Sequence, residues 1–258
     1  MVKSLAVAGL WAGVAVAAAQ VSFTGSWQES FDGLPTASTF SILDNWQNNA
    51  TLPGWSRLLI SDGTPGVETR FRVDDGNATG GSLWSLGAFG STERALGFTP
   101  SSNLPTGHIA VELINSTGAV IRDLAIRYTG EQWRRGVDGD DALTFSYRRG
   151  GIDLTSGMWQ AEDSLTFDAP QVLGGPLRLD GNAAGNRRLI AGTLINLDWQ
   201  PGESLWLRWT GVDRLGADHT LAIDDLQVEA VPEPVTLAVM AGMGIGALRR
   251  RRSQAPRH

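Results

Sequence analysis

Two adjacent carboxylates, Asp224 and Asp225, interrupt an otherwise apolar run from Leu221 to Val228. Consecutive side chains of a strand point to opposite faces, so one of the pair is expected in solvent and the other turned inward. An unpaired inward charge would cost several kcal/mol, so a cation or a set of hydrogen-bond donors must meet it. Lysine is absent after Lys3, and the nearest arginine in sequence, Arg214, lies between Asp213 and Asp218 in a segment already rich in acid. A second kind of chemistry is stacking. Trp206 and Arg208 share one face of an alternating segment, where an indole can cover a sugar ring while a guanidinium bonds hydroxyls. Trp133 and Arg134 offer the same pair of groups, and core packing is the competing reading for every tryptophan. Glu93 and Glu131 each stand close before an arginine, which reads as structural ion pairing. Asp138 to Asp141 has an Asp-x-Asp look without the later positions of a calcium-binding loop, and reads as a turn. Catalysis finds little support, because there is no Gly-x-Ser-x-Gly, no His-Glu-x-x-His and no phosphate loop.

The elements that must hold these groups read as strands. Leu205, Leu207 and Trp209 alternate with Trp206, Arg208 and Thr210, the period of a strand with two different surroundings. The loop Val212 to Thr220 leads to a second strand over Leu221 to Val228, and the two close the domain. Further strands are expected over Ser82 to Leu86, from Thr92 to Gly97, from His108 to Leu113, over Ile121 to Thr129, over Leu143 to Tyr147, at Leu165 to Phe167 and over Leu189 to Leu197. The Ile121 and Leu143 strands read as one long hairpin around the acidic turn. No body segment carries a sustained 3.6-residue apolar period, and turn signals such as Asp74-Asp75-Gly76-Asn77 recur. The expected fold is all-β, an antiparallel two-sheet sandwich over residues 20–230.

Composition bounds the partners. There are 258 residues, enough for one large β domain, and no cysteine, so neither disulfides nor thiol chemistry is available. Between Gln20 and Pro232 stand 26 acids and 15 arginines, a balance of −11. A body this acidic repels polyanions, which excludes nucleic acid as the expected partner.

The ends differ from the body. Residues 1–19 combine Lys3, an apolar run and the small triplet Ala17-Ala18-Ala19, as secretory signals do. Residues 231–258 run from Pro232-Glu233-Pro234 through an apolar stretch, Val235 to Leu248, to Arg249, Arg250, Arg251 and Arg252. As a helix the apolar stretch would span roughly 21 Å against a hydrocarbon core of roughly 30 Å. That order of parts resembles the PEP-CTERM sorting signal of bacteria that make exopolysaccharide. The resemblance implies export, transient membrane retention by the C-terminal helix with its arginines on the cytoplasmic side, and processing by an exosortase-type enzyme; a permanent single-span anchor is the alternative.

The body resembles an uncharacterised module of such secreted proteins, through Ser91-Thr92-Glu93-Arg94-Ala95-Leu96-Gly97, Gly130-Glu131-Gln132-Trp133-Arg134, Asp180-Gly181-Asn182 and the run Asp218 to Leu226. More loosely, Glu29-Ser30-Phe31-Asp32 and Ile223-Asp224-Asp225-Leu226 resemble the first and last strands of jelly-roll carbohydrate-binding modules. That resemblance implies a structural calcium between Glu29 and Asp224 or Asp225. Calcium takes six to eight oxygens, and Asp213 and Asp218 could supply more of them; solvated loop aspartates are the alternative. The functional expectation is an exported, non-catalytic surface or matrix protein that binds extracellular polysaccharide. A structural or adhesive surface protein and a glycan hydrolase are the rivals. An exposed row of Trp206 and Trp133 would favour binding, burial of both the structural rival, and carboxylates facing across a cleft the hydrolase.

Overall fold

The computed structural model of the chain describes residues 20–232, apart from 62, 67, 138 and 217. The expected signal segment, and the tail from Glu233 and Pro234 to Arg249–Arg252 and the end, lie outside the described residues. In chain order the strands are β1 (Val21–Phe23), β2 (Ser26–Glu29), β3 (Ser41–Ile42), β4 (Trp55–Ser61), β5 (Thr64–Pro65), β6 (Phe71–Asp74), β7 (Ser82–Leu86), β8 (Ala95–Thr99) and β9 (Thr106–Asn115). They continue with β10 (Leu124–Arg135), β11 (Ala142–Arg149), β12 (Gln160–Ala161), β13 (Phe167–Asp168), β14 (Leu177–Arg178), β15 (Arg187–Leu194), β16 (Ser204–Val212) and β17 (Thr220–Ala230). A single 3-10 turn, Asp163–Leu165, stands where a strand was expected to begin. Among the described residues no helix is long and apolar enough to cross a membrane.

Two sheets face each other. The first runs β12-β11-β16-β9-β4-β5, with β1 on β9 and β13 on β11. The second runs β14-β10-β17-β8-β7-β6-β3, with β15 on β10 and β2 on β17. All pairings are antiparallel except β1 with β9 and β6 with β7. Alternation decides what lies between the sheets: Ile109, Val111, Leu113, Leu205, Leu207 and Trp209 from one meet Leu124, Ile126, Tyr128, Leu221, Ile223, Leu226 and Val228 from the other in one buried core. Trp209 is the hub, stacked on Trp55 at 6.0 Å and met edge-on by Tyr128 at 5.5 Å and Phe145 at 5.2 Å.

The expected long hairpin does not form. β10 pairs with β15 and β17 in the second sheet, while β11 pairs with β16 and β13 in the first. The link between them crosses the end of the sandwich, where Gly136 N–H donates to His219 Nδ1 at 2.7 Å and His219 Nε2–H donates to the Gly139 carbonyl at 3.0 Å. Alternation in sequence says which face a residue occupies but not which strand is its neighbour, and a single buried histidine redirects the chain. The two closing strands behave likewise: β16 is central to the first sheet and β17 to the second.

Candidate functional site

The outer face of the second sheet carries the chemistry. On β10 the outward positions are Ala125, Arg127, Thr129, Glu131 and Trp133, because Leu124, Ile126 and Tyr128 fill the core. On β17 the alternation breaks. Arg127 is opposite Gln227 and Thr129 opposite Asp224, so one residue of β10 faces two of β17. The extra residue is Asp225, at φ 48°, a left-handed conformation that aspartate tolerates better than most. Ile223 and Leu226 both enter the core, so Asp224 and Asp225 emerge on the same side of the sheet. This corrects the expectation that the pair straddles the strand. One member is nevertheless buried and the other exposed, because cover on the outer face ends between them: Asp224 is 5% exposed, whereas Asp225 is open to solvent.

The cover is a small second core of Trp84, Leu86, Ala95, Trp133 and Ala222. The segment around Gly181 lies so close on the Trp133 indole that a Cβ there would sit 2.3 Å from Nε1. Beneath it three carboxylates converge: Glu93 from the β7–β8 connection, Glu131 and Asp224 each present an oxygen, all within 4.8 Å of one another. Glu131 is fully buried; its Oε2 accepts Trp133 Nε1–H at 2.9 Å and its Oε1 has no partner. Glu93 Oε2 accepts Asn182 Nδ2–H at 2.5 Å, and its Oε1 is also unpartnered. Asp224 Oδ1 accepts the Asp225 amide at 2.7 Å. Burial, then the neighbouring carboxylates, push Asp224 up to about 9; burial foremost, with Glu93 and Asp225 adding to it, pushes Glu131 up to about 7. The four segments singled out by resemblance therefore meet at one place.

Neither glutamate forms the ion pair expected of it: among the described residues no salt bridge includes Glu93 or Glu131. Arg134 turns its guanidinium to the carbonyls of Gly76 and Asn77 instead. Arg94 is fully buried and serves carbonyls instead, donating to Ser85, Ala88 and Asp74, while its Nε–H donates to Ser85 Oγ at 2.9 Å.

Below the cover the same face is open. Three adjoining hollows of about 410, 330 and 230 Å3 cross β15, β10, β17 and β2; Gln227 lines all three, Arg127 the first two and Asp225 the last two. Their floor is made of small residues, Ala125, Ala191, Thr129 and Thr193; Gln28 and Ser30 stand at one end and the exposed Leu189 at a side. Arg127 Nε–H donates to Gln227 Oε1 at 2.9 Å.

The other expected residues lie elsewhere. Trp206 does occupy the outer face of its sheet, but it is only 4% exposed, packed with Ala110 and Leu154. Arg208 lies over the Trp159 ring at 3.7 Å and its Nε–H donates to Ser146 Oγ at 3.0 Å, so it braces the covering loop. Trp133 is 2% exposed, and Arg134 donates to the Asn77 carbonyl at 3.2 Å. Seven of the nine described tryptophans are buried and no row of them faces solvent, which removes the expected stacking platform.

The expected calcium ligands are also dispersed. β2 does lie beside β17, and Glu29, paired with Leu226, borders one hollow with Asp225, but it joins no cluster of three ligands with Asp224 or Asp225 among the described residues. Its Oε1 accepts the Phe31 amide at 2.8 Å. Asp213 and Asp218 flank the loop at the far end of β17, six residues or roughly 20 Å along the strand from Asp224. There burial, and after it the adjacent Asp213, push Asp218 up to about 7. The cluster that does form was hidden from sequence because Glu93, Glu131 and Asp224 are far apart in the chain. The one available signal was that each stands in a segment singled out for another reason.

A hydrolase needs its carboxylates in an open cleft that admits a sugar ring. Glu131 and Asp224 are close enough together but sealed, and Asp225 rather than either of them lines the hollows.

No family model and no curated protein matches the chain. Among solved structures it is similar to the CBM22-1 xylan-binding domain from Paenibacillus barcinonensis Xyn10C, at 11% identity and a TM-score of 0.35 over 81% of this chain and 95% of that one. It is similar to the K3 cleaved adhesin domain of Lys-gingipain from Porphyromonas gingivalis, at 12% identity and a TM-score of 0.38 over 68% and 91%. It is similar also to a non-crystalline cellulose specific carbohydrate-binding module, CBM28, at 12% identity and a TM-score of 0.29 over 68% and 87%. At scores of this size none of them carries an argument about what this chain binds.

Proposed function

We propose that this chain is an exported, non-catalytic β-sandwich of jelly-roll type that binds extracellular polysaccharide along the trough over β15, β10, β17 and β2. The observation that supports this reading is the trough itself: an open surface several strands wide, floored by small residues and edged by Arg127, Gln227, Asp225 and Gln28. Planar side chains of this kind bond adjacent hydroxyls in pairs, and the small floor lets a chain lie close. With no exposed tryptophan among the described residues, the binding is carried by hydrogen bonds and is weak at each sugar. Replacing Arg127 and Gln227 together by alanine is expected to weaken retention in soluble-polysaccharide affinity gels at least tenfold while leaving the melting temperature within about 2 °C, as exposed substitutions do. Equal retention of parent and variant across a panel of neutral and acidic polysaccharides would remove the trough from the reading.

One observation favours the structural or adhesive alternative, namely the burial of both Trp133 and Trp206. A parent chain that no polysaccharide in the panel retards would select it.

The tail gives the route. In this reading Pro232-Glu233-Pro234 and the arginine cluster Arg249 to Arg252 direct the chain to the cell envelope or matrix, where an exosortase-type enzyme removes the short apolar segment. Mass spectrometry of protein from its own host is expected to find a C-terminus near Glu233. Full-length chain alone in the envelope would refute it.

A further inference from the structure

We propose that Glu93, Glu131 and Asp224 are the protein ligands of a calcium-sized divalent cation bound beneath Trp133 and the Gly181–Asn182 segment. The cluster lies on β10, β17 and the β7–β8 connection, on the outer face of the second sheet, and Glu29 is not part of it.

Three observations carry it. Calcium holds oxygens at about 2.3–2.6 Å, so ligands on opposite sides of one ion stand at most about 5 Å apart. The three carboxylates present oxygens within 4.8 Å of one another. Second, Glu131 is fully buried and reaches into the cluster with Oε1 unpartnered, and Glu93 Oε1 is unpartnered too. Buried carboxylate oxygens with no donor are expensive, and an ion satisfies both at once. Third, one oxygen of each carboxylate is already engaged from outside: the Trp133 indole, the Asn182 amide and the Asp225 amide hold the three in place. Groups oriented in this way by an outer layer of donors are what a metal site requires.

Protonation is the competing account, and it fits less well. A carboxylic acid brings an O–H that needs an acceptor, yet no hydrogen bond joins any two of the three carboxyls among the described residues. The positively charged neighbours are Arg187, opposite Glu131 on β15, and Arg94; both act at a distance, since no ion pair to the cluster forms among the described residues, and Asp225 adds a further negative charge. Three protein carboxylates leave room for water to complete the coordination of a hard cation. The site stands independently of the trough, so sugar retention and ion binding can fail separately.

The test uses the full chain, stripped with a chelator at pH 7.5 and then given calcium chloride alone. Calorimetry is expected to show one calcium per chain. At calcium 100 times its dissociation constant the melting temperature is expected to rise by about 5–10 °C. In Glu131→Gln the amide oxygen can still accept from Trp133. That variant is expected to lose at least nine-tenths of the calcium response, while melting in chelator at or above the stripped parent, because a like charge has been removed from the cluster. Glu93→Gln, at the half-buried and therefore more tolerant position, is expected to weaken calcium binding at least tenfold, and keeps the test decisive should Glu131→Gln fail to fold. A parent that shows neither heat nor a melting shift with calcium would overturn the site, as would a calcium response undiminished in Glu93→Gln.

Discussion

Trp209→Ala is expected to lower the unfolding free energy by about 4 kcal/mol, the cost of removing a large aromatic from a closed core. Trp209 is fully buried at the centre of β16, and its ring touches Trp55, Tyr128 and Phe145 from three different strands. No single neighbour can swing into the vacated space without leaving another gap, so little of the loss is recovered by relaxation. For a domain of this size the melting temperature should fall by roughly 10–15 °C. Trp209→Phe, which keeps one ring in the cluster, should restore about half of the difference. A urea titration in which the alanine variant loses less than about 1 kcal/mol would show that the hub is dispensable.

The second large effect is a pH dependence centred on Asp141. It is 4% exposed beside the crossing link, its Oδ1 accepting the Ala142 amide at 2.8 Å and its Oδ2 the His219 amide at 3.2 Å. Burial, helped by Asp213 and opposed by those amides and Arg214, pushes it up from 3.8 to about 7. A raised carboxylate binds its proton more tightly when folded, so the folded state is favoured at acid pH. Stability from this group is fully present below about pH 4, falls as pH rises between about 4 and 7, and is level above. A displacement of that size is worth about 4 kcal/mol at about 1.4 kcal/mol per pH unit, and relaxation around the charge should leave about 2. His108, held down to about 4 by burial and by Arg208, acts in the opposite sense over an overlapping range. The difference between parent and Asp141→Asn curves removes that contribution. In chelator, the advantage of the parent over the variant should shrink by about 2 kcal/mol between pH 4.5 and pH 8, and parallel melting curves across that range would contradict the account.

The sequence was most informative where a segment is decided by its own residues. Ser82–Leu86 stands as a strand between turns at both ends, and the alternation of Ser204–Val212 correctly divides core from outer face. Pairing was not legible in the same way. The strands β10 and β11 follow one another with an acidic turn between them, yet they join different sheets because the link is drawn over the end of the sandwich by His219. Trp206 was read on the right face, and only the loop carrying Leu154 and Trp159 determines that it is covered. The bulge at Asp225 is legible in retrospect as the only way two adjacent acids can share one face. Nothing local distinguishes that arrangement from regular alternation. The carboxylate cluster lay furthest from view, since its members are joined by sheet pairing rather than by spacing.

The central place of β17 has a consequence for how the chain acquires its structure. In the second sheet β10, β8 and β2 all take backbone partners from Thr220–Ala230, the last of the described strands to be synthesised. Until that strand arrives, the sheet lacks its middle, and the edges of β8, β10 and β2 have no partner on the side it will fill. The closing step joins residues roughly two hundred positions apart, the kind of long-range contact that makes folding slow. The nascent chain therefore stays in an incompletely ordered state until Thr220–Ala230 has been made. Such a state can be threaded through a narrow pore, but its unpaired strand edges are prone to aggregation. Only arrival of β17 commits the sheet to one structure.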